Sequence, residues 1–392
     1  MKKIKITVIT GGRADYGLLS YFLKDAKKSF NLKLVVTGSH LNNTFGNSLD
    51  DIIKDKIKIS KKIDVQIKEG KGAVANSISI GIKKFNKYFE KNNSDFVILL
   101  GDRYEILSCA IAAAVMRYPI IHLHGGETTT NSYDEYFRHS ISIFSQYHFV
   151  AAKKYYNRLI QLGNSPKKIF LVGGLGVSNI KRVKYEKKEN LEKIFKIKFK
   201  KKNILLIYHP ETLEKNYGII GLKNTLKVLS KYKDYLVIIS SPNADTNYSN
   251  FKKLINLYKK KNKNFKVILS LKHEKFLSIL KYSDLIIGNS SSGLLEAPSL
   301  KVPTINIGNR QHGRLRSPSV IDCSYNRKEI QKKINLTLKS KKFFKFKNPY
   351  DHGDSIKKII NTIKKIKISN NPDKKKFFDL TENKKLKDIF LK

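Results

Sequence analysis

The feature that most constrains this chain is the regular alternation of short runs of Ile, Val and Leu with longer amphipathic stretches. In the first half, such runs occupy residues 4–10, 32–37, 96–100, 119–123 and 148–150. Strands that alternate with helices along a chain pair in parallel, and the helices cover both faces of the sheet. The first half therefore predicts an α/β domain built on a parallel sheet.

A second series of strand-like runs follows and occupies residues 204–208, 235–240, 265–269, 284–287 and 304–307. The glycine-rich segment Gly173-Gly-Leu-Gly176 separates the two series and permits a hinge. We predict two Rossmann-like domains, at residues 1–172 and 173–350, that face each other across a cleft. The remaining residues 351–392 begin with a predicted helix at 352–366, which can return to the first domain, and end in a basic tail.

Composition excludes several classes of protein. A chain of 392 residues with 41% hydrophobic content can bury two cores. No apolar run approaches the roughly 20 residues of a membrane helix, so we expect no membrane partner. The strand-like run near the start argues against a cleavable signal. Cys109 and Cys323 are too few for a disulfide framework, which predicts a cytoplasmic location.

The formal net charge of +46 raises the question of a nucleic-acid partner, because phosphate-binding domains carry clustered Lys and Arg. Here lysine is spread over nearly every predicted surface helix rather than along one stripe. We interpret the charge as a bias of the whole chain and predict no nucleic-acid binding. A positive surface also attracts an anionic substrate.

Polar segments of the first half follow predicted strands. Gly11-Gly12-Arg13 lacks the spacing of a dinucleotide or P-loop fingerprint, so no NAD or ATP cofactor is predicted. A phosphate contact of Arg13 and a plain glycine turn are equally supported. If the strands before Asp102 and Glu127 are adjacent, their carboxyl ends meet at one edge, and both residues are candidates for proton transfer. The alternative for Asp102 is an N-cap of the next helix.

Histidines and a second carboxylate surround Glu127 in the sequence. The spacing of His122, His124 and Glu127 also suits a metal triad, but the glycines after the histidines favour a loop that leads into a helix, and we predict no metal. His122 fits a packing position, while His124 fits either a packing or a functional one. Asp134 and Arg138 share a helical face, and Arg138 is a candidate for substrate binding. They form either a simple ion pair or, together with Glu127, part of a site whose carboxyl pKa values are pushed apart.

The second half offers groups that bind anions. His209 ends the first strand of the second series and is followed by a proline, which favours a position at the cleft. Ser290 and Ser291 stand at a predicted helix start, where backbone amides and hydroxyl groups suit a diphosphate. Glu296 can accept hydrogen bonds from ribose hydroxyl groups or favour the helix start. Arg310 either binds phosphate or lies in a solvated basic loop.

These motifs, in this order, resemble the hydrolysing UDP-N-acetylglucosamine 2-epimerases of sialic acid biosynthesis and their relatives that act on UDP-diacetylbacillosamine in legionaminic acid pathways. The similarity spans residues 3–366. Its most specific parts are Gly12-Arg-Ala-Asp-Tyr-Gly17, Leu100-Gly-Asp-Arg-Tyr-Glu105, His122-x-His-Gly-Gly-Glu127, Asp134-Glu-x-x-Arg-His139, His209-Pro-Glu-Thr212 and Gly288-Asn-Ser-Ser-Ser-Gly293. The resemblance implies a two-domain, glycosyltransferase B-like fold that binds UDP mainly on its second domain.

The resemblance also implies an activity: conversion of UDP-GlcNAc to ManNAc and UDP through a 2-acetamidoglycal, with no hydride carrier, other cofactor or metal. The residues that it assigns are Asp102, Glu127 and Asp134 as acid/base groups, His209 as a histidine needed for activity, and Arg13, Ser290, Ser291 and Glu296 as nucleotide-sugar contacts. The alternatives are the same reaction on UDP-diacetylbacillosamine, a non-hydrolysing 2-epimerase and a glycosyltransferase. Relatives are commonly dimers or tetramers, which implies a homo-oligomer.

Overall fold

The computed structural model describes residues 3–42, 48–65, 70, 72–130, 132–241, 247–268, 272–340, 344–368 and 375–380. They contain two parallel sheets, one in each half of the chain, with apolar cores packed against both faces. The first sheet contains β1 Lys5–Thr10, β2 Asn31–Thr37, β3 Ile59–Ile63, β4 Phe96–Leu100, β5 Ile120–Leu123, β6 Tyr147–Val150 and β7 Ile169–Leu171. The second contains β8 Asn203–Ile207, β9 Leu236–Ser240, β10 Phe265–Ile268, β11 Leu285–Gly288, β12 Thr304–Ile307 and β13 Val320–Cys323.

Helices connect most of the successive strands and shield the sheets from water. Those of the first half are α1 Arg13–Ser29, α2 Ser48–Lys54, α3 Ala73–Phe89, α4 Tyr104–Val115, α5 Asp134–Phe144, α6 Lys153–Gln161 and α7 Leu175–Ile180. Those of the second half are α8 Lys188–Phe195, α9 Ile219–Leu229, α10 Tyr248–Lys261, α11 His273–Lys281, α12 Ser292–Leu295, α13 Arg327–Ser340 and α14 Ser355–Lys365. Within the described ranges, no helix combines the length and the apolar character needed to cross a bilayer.

The strand order places the predicted motifs at equivalent points of the two sheets. The first sheet has the order β3-β2-β1-β4-β5-β6-β7, and the second has the order β10-β9-β8-β11-β12-β13. In each sheet the chain runs outward from its first strand and then returns to the other side of that strand. A crevice therefore opens beyond the carboxyl ends of β1 and β4, and another beyond those of β8 and β11.

Three observed strands fall outside the predicted series, namely β3, β7 and β13, and each lies at an edge of its sheet. The sequence of β3 is Ile-Ser-Lys-Lys-Ile, and its three central side chains are exposed. An edge strand is covered less than a central one, so β3 carries polar residues and does not form an apolar run. The strand β7 is apolar but only three residues long. The predicted strand at 265–269 matches β10 as far as Ile268, and Leu269 lies outside the described residues.

The C-terminal part of the chain crosses from the second sheet back to the first. Along β1, Ile6 and Val8 lie in one core and Ile9 in the core on the opposite face, as the alternation of side chains in a strand requires. The buried face of α14 packs in the same core as Ile6 through Ile356, Ile359, Ile360 and Ile363. The domain boundaries after residues 172 and 350 remain a prediction.

Candidate active site

A cleft of about 460 Å³ receives loops from both sheets. The side chains singled out from the sequence all line it: Arg13, Asp102, Glu127, Asp134, Arg138, His209, Ser290, Ser291, Glu296 and Arg310. Those of the first half follow β1, β4 and β5 or lie on α5, and those of the second half follow β8, β11 and β12. The fold thus gathers at one site residues that are far apart in sequence, while their chemical roles remain predictions.

Asp102 pairs with a buried arginine. Helix α4 is preceded by Arg103 at its N-cap, so Asp102 does not cap it, contrary to the alternative drawn from the sequence. The carboxylate of Asp102 forms an ion pair with Nη2 of Arg138 on α5. Arg138 is 1% exposed, and burial together with Arg314 lowers the pKa of its guanidinium group. The charged form of Arg138 therefore depends on the carboxylates that surround it.

Glu127 lies between a histidine and an arginine. Nδ1 of His124 is 2.8 Å from Oε1, and Nη2 of Arg314 is 3.2 Å from Oε2. Burial raises the pKa of Glu127, but Arg314 and His124 together hold that pKa below its ordinary value. The main-chain N–H of Leu175 donates to Nε2 of His124 at 3.2 Å, so Nε2 is the acceptor nitrogen of the ring. Nδ1 therefore carries the proton and donates a hydrogen bond to Oε1 of Glu127. Glu127 is therefore an ionised carboxylate that can accept a proton.

Helix α5 presents both a carboxylate, on Asp134, and a guanidinium group, on Arg138, to the cleft. Asp134 is its first residue, so the carboxylate stands at the positive end of the helix dipole. One turn later, Arg138 reaches Asp102 on the loop after β4, and its Nη1 lies 3.2 Å from Glu135. The ion pairs of Arg138 thus include one with Asp102 outside the helix, which a simple i,i+4 pair with Asp134 does not account for. The helix joins the loops that carry Asp102 and Glu127 into one wall of the cleft.

His122 occupies a packing position, as predicted. It is fully buried, with Nδ1 at 3.0 Å from Oγ of Ser142 and Nε2 at 2.8 Å from the carbonyl oxygen of Gly101. Burial lowers its pKa to about 4, so the ring is neutral. Both ring nitrogens of His122 are engaged, and both of His124 contact Glu127 and Leu175. All four ring nitrogens therefore have hydrogen-bond partners within the protein.

The loop after β1 is shaped by close packing. A Cβ atom on Gly11 would lie 2.3 Å from Oε1 of Glu105, so a glycine is required for steric reasons. The main-chain N–H groups of Gly11 and Gly12 donate to the carboxylate of Asp15 at 2.7 and 2.8 Å. Arg13 lines the cleft, and its Nε lies 3.1 Å from Asp51. The arginine, rather than the glycine amides, is therefore the group of this loop suited to an anion.

Asn289 organises the second half of the site. Its Oδ1 accepts a hydrogen bond from the N–H of His209 at 2.8 Å, and its Nδ2 donates to the carbonyl of His209 at 2.9 Å. The carbonyl of Asn289 accepts from Nε2 of Gln311 at 2.8 Å and from Nη1 of Arg310 at 3.3 Å. This fully buried residue joins the loops after β8, β11 and β12. It thereby fixes His209 and Arg310 at the cleft.

The serine segment approaches the sheet closely. Gly288 has a φ of +132°, and a Cβ there would lie 1.9 Å from the carbonyl oxygen of Ile207, so only glycine fits. Ser290 and Ser291 precede α12, which is shorter than predicted, and Glu296 lies just beyond its end rather than inside it. Glu296 is 4% exposed, and no described residue hydrogen-bonds to its Oε2. Burial raises the pKa of Glu296 to about 7.

Several residues at the cleft escaped the sequence analysis. Arg314 follows Arg310 in a basic loop and nothing in the sequence sets it apart, and His124 fits either a packing or a functional position. Further lining residues lie on α10 and α11, namely Tyr248, Lys252, His273 and Phe276. Lys252 belongs to a helix that contains five lysines, so no signal in one sequence distinguishes it. The contact between Arg314 and Glu127 joins the two halves of the chain and arises only from their packing.

Two Rossmann-like units around a cleft, with carboxylate-bearing loops on one wall and the serine segment on the other, define a glycosyltransferase B-like α/β protein. Among solved structures, the UDP-GlcNAc 2-epimerase of Neisseria meningitidis bound to UDP-GlcNAc is similar to this chain. The TM-score is 0.78 at 20% identity, over 93% of this chain and 100% of that one. At this level of identity the similarity shows the fold, and it confirms the predicted fold class.

Sequence comparison gives the family. The family model described as UDP-N-acetylglucosamine 2-epimerase matches residues 24–364. The polysialic acid biosynthesis protein P7 of Escherichia coli is 37% identical over 96% of this chain and 98% of its own length. The GDP/UDP-N,N'-diacetylbacillosamine 2-epimerase (hydrolyzing) of Campylobacter jejuni is 38% identical over 83% of this chain and 86% of its own length. The chain belongs to the UDP-N-acetylglucosamine 2-epimerase family, as its motifs predicted.

Proposed function

We propose that this protein is a hydrolysing UDP-N-acetylglucosamine 2-epimerase that converts UDP-GlcNAc to ManNAc and UDP. The observation that carries the proposal is the division of the cleft: one wall holds ionised carboxylates paired with arginines, and the other holds the serine segment. The name of the E. coli relative supports a product that enters the biosynthesis of a sialic-type acid. A cytoplasmic location agrees with such a use of a nucleotide sugar.

The first step is an elimination. The hydrogen on C2 of the sugar is barely acidic, so its removal must be coupled to departure of UDP from C1. A carboxylate accepts the C2 proton, the C–H electron pair forms the C1–C2 double bond, and the C1–O bond breaks. Asp102, Glu127 and Asp134 are the candidates for this base. Arg13 and Arg310, beside the serine hydroxyl groups, stabilise the charge that develops on the diphosphate.

The second step adds water across the double bond of the 2-acetamidoglycal. The hydroxyl group bonds to C1, and an acid delivers a proton to the opposite face of C2, which gives the manno sugar free of UDP. Of the three candidates, Glu127 is the one that His124 and Arg314 keep ionised, which suits the base of the first step rather than the acid of the second. Glu296 presents an acceptor oxygen to the ribose hydroxyl groups.

The fate of UDP tests the proposal. Incubation of the protein with UDP-GlcNAc in heavy water should release one UDP for each free ManNAc and place deuterium at C2, because the returning proton comes from a group that exchanges with solvent. Proton NMR and a UDP assay on the same sample measure both. Accumulation of UDP-ManNAc would move the protein to the non-hydrolysing class. An unlabelled C2 in a sugar transferred to an acceptor would make it a glycosyltransferase.

UDP-N,N'-diacetylbacillosamine is a second candidate substrate. The supporting observation is the name of the C. jejuni relative, which matches this chain at 38% identity. The elimination and hydration at C1 and C2 are the same for both sugars, which differ at C4 and C6. The experiment is therefore run with each nucleotide sugar separately, and the higher kcat/KM identifies the substrate.

A further inference from the structure

The carboxylate of Glu135 accepts four hydrogen bonds at the back of the candidate active site. Oε1 accepts from the hydroxyl group of Thr128 at 2.6 Å and from Nε2 of His139 at 3.2 Å. Oε2 accepts from the main-chain N–H of Thr129 and from Nη1 of Arg138 at 3.2 Å. Glu135 is not among the described residues that line the cleft. Its side chain is 20% exposed, so these bonds are only partly open to solvent.

One of these bonds reaches the pair formed by Asp102 and Arg138. The guanidinium group of Arg138 contacts Glu135 through Nη1 and Asp102 through Nη2. A planar guanidinium group held at one nitrogen is fixed in orientation at the other. Glu135 therefore determines where Arg138 presents its second nitrogen, and with it the position of the Asp102 carboxylate.

The other bonds reach the pair formed by Glu127 and Arg314. Glu135 holds the side chain of Thr128 and the main chain of Thr129, the two residues that follow Glu127. Arg314 donates from Nε to the carbonyl of Thr128 at 2.8 Å and from Nη2 to the hydroxyl oxygen of Thr129 at 3.3 Å. The position of Arg314 beside Glu127 thus depends on a segment that Glu135 holds in place.

The hydroxyl group of Thr129 connects the two arginines. Its oxygen accepts from Nη2 of Arg138 at 2.9 Å as well as from Nη2 of Arg314. Two guanidinium groups that share one neutral acceptor repel each other, and the carboxylate of Glu135 offsets part of that repulsion. The positions of both arginine–carboxylate pairs of the first wall therefore depend on the side chain of Glu135.

We propose that Glu135 is a positioning residue, which sets the geometry of Asp102 and Glu127 by holding Arg138 and the Thr128–Thr129 segment without touching the substrate. The proposal rests on the proposed function, because it assigns the two carboxylates to proton transfer. Small displacements of such groups reduce turnover strongly, whereas binding of UDP to the other wall does not depend on them.

The test uses two substitutions with graded effects. In Glu135→Gln, the amide oxygen can still accept from Thr129, but the side chain loses its charge beside Arg138. In Glu135→Ala, both the segment and the arginine lose their partner. We expect kcat to fall about tenfold in the first and about hundredfold in the second, with KM for the UDP-sugar changed by less than about threefold. Calorimetry should give a Kd for UDP equal to that of the unchanged protein, which also shows that the variants are folded.

Glu329→Gln is the matched control. Glu329 lies on α13 and also accepts from a serine hydroxyl group, a main-chain N–H and a basic side chain, but it contacts Ser324 and Lys333 away from the cleft. Its kcat should be unchanged. Thr129→Val should lower kcat, and combined with Glu135→Gln it should cost less than the product of the two single effects, because both act on the same arginines.

An unchanged kcat in Glu135→Ala, in a protein that turns over the UDP-sugar, overturns the positioning role. So does a loss confined to KM, or full multiplication of the two effects in the double variant. The proposed function fails separately, by the absence of turnover or by other products in the unchanged protein.

Discussion

At the residue scale, the cleft distinguishes its carboxylates by their neighbours. Glu127 is buried, yet Arg314 and His124 hold its pKa below the ordinary value. Glu296 is equally buried, but the hydrogen bonds and charges near it do not offset burial, and its pKa rises to about 7. The same side chain therefore favours proton acceptance on one wall and hydrogen bonding to neutral hydroxyl groups on the other.

The first prediction concerns the three candidate acid/base groups. Asp102→Asn, Glu127→Gln and Asp134→Asn should each lower kcat by at least about a hundredfold, the usual scale for the loss of a proton-transfer group. The Kd for UDP should be preserved, because the proposed nucleotide contacts lie mainly on the other wall. Steady-state kinetics and calorimetry measure the two quantities.

Asp351→Asn serves as the control for this series. Its carboxylate forms an ion pair with Lys181 at 2.9 Å and is largely exposed, so turnover should not change. Near-normal turnover in all three cleft variants would contradict the assignment of proton transfer to these carboxylates.

The second prediction concerns the buried charge of Glu296. A carboxyl group whose pKa is higher in the folded than in the unfolded protein stabilises the fold below its unfolded pKa of 4.5, and this stability is lost as the pH rises through about 7. Ionisation at pH 8 costs about 3 kcal/mol on this basis. Glu296→Gln should therefore raise the melting temperature of the ligand-free protein at pH 8 but scarcely at pH 4. It should also weaken the binding of UDP. An equal shift in melting temperature at both pH values would contradict the argument.

At the element scale, the sequence predicted the central strands and the edge strand β10, but not the other three edges of the two sheets. The strands β1, β4, β8 and β11 are apolar on both faces because helices cover both, and their runs of Ile, Val and Leu are plain. The edge strand β3 has lysines where a central strand has apolar side chains. Helix α14 was predicted from its periodicity, whereas its place against the first sheet follows from packing across the whole chain.

Some residues of the candidate site could likewise be predicted from the sequence, and others could not. Residues at strand ends were found because parallel strands bring their carboxyl ends to one edge, and this applies to Asp102, Glu127 and His209. Residues that act through tertiary contacts were not found. Nothing in the sequence distinguishes Asn289 from its neighbours in the serine segment, and its role follows from contacts with His209 and Arg310. Lys252 was hidden by the lysine-rich composition of α10. Spacing in a sequence reveals positions on strands and helices, but not which loops of the two domains meet.

The third prediction concerns the C-terminal end of α5. Nζ of Lys375 lies within 3.0 Å of the carbonyl oxygens of Ser142, Ile143 and Ser145 and of the side-chain oxygen of Asn164. A cation that satisfies the last carbonyl groups of a helix stabilises that helix, by about 1 kcal/mol. Lys375→Met should lower the melting temperature and speed hydrogen exchange in the last turn of α5.

Lys376→Met is the control, because the hydrogen bonds to the end of α5 within the described residues come from Lys375 and not from its neighbour. It removes the same charge next to the same helix without removing the cap. Equal effects of the two substitutions on exchange in α5 would show that net charge, and not capping, explains the change.

At the scale of the whole molecule, contacts across the mouth of the cleft hold the two halves together. Asp55, which follows α2, lies 2.9 Å from Nζ of Lys272 at the start of α11. The hydroxyl group of Tyr21 donates to Glu274 at 3.1 Å. A Cβ on Gly17 would lie 2.9 Å from Cβ of His273, so α1 and α11 pack closely. Since both walls must contact one substrate, these contacts favour a closed cleft.

The last prediction tests this closure with two lysines that share one carboxylate. Lys272 reaches Asp55 from the second half of the chain, whereas Lys24 reaches it at 3.0 Å from α1 in the first half. Lys272→Ala should raise the Kd for UDP and the KM for the UDP-sugar and weaken the dependence of KM on salt, because an ion pair across the cleft is screened by ions. Lys24→Ala removes a charge from the same carboxylate without opening the cleft and should leave both constants nearly unchanged. In the absence of UDP, small-angle scattering should show a larger radius of gyration for Lys272→Ala than for the unchanged protein, and no such increase for Lys24→Ala. If the two variants behave alike, the carboxylate of Asp55 stabilises the first half of the chain and does not hold the cleft closed.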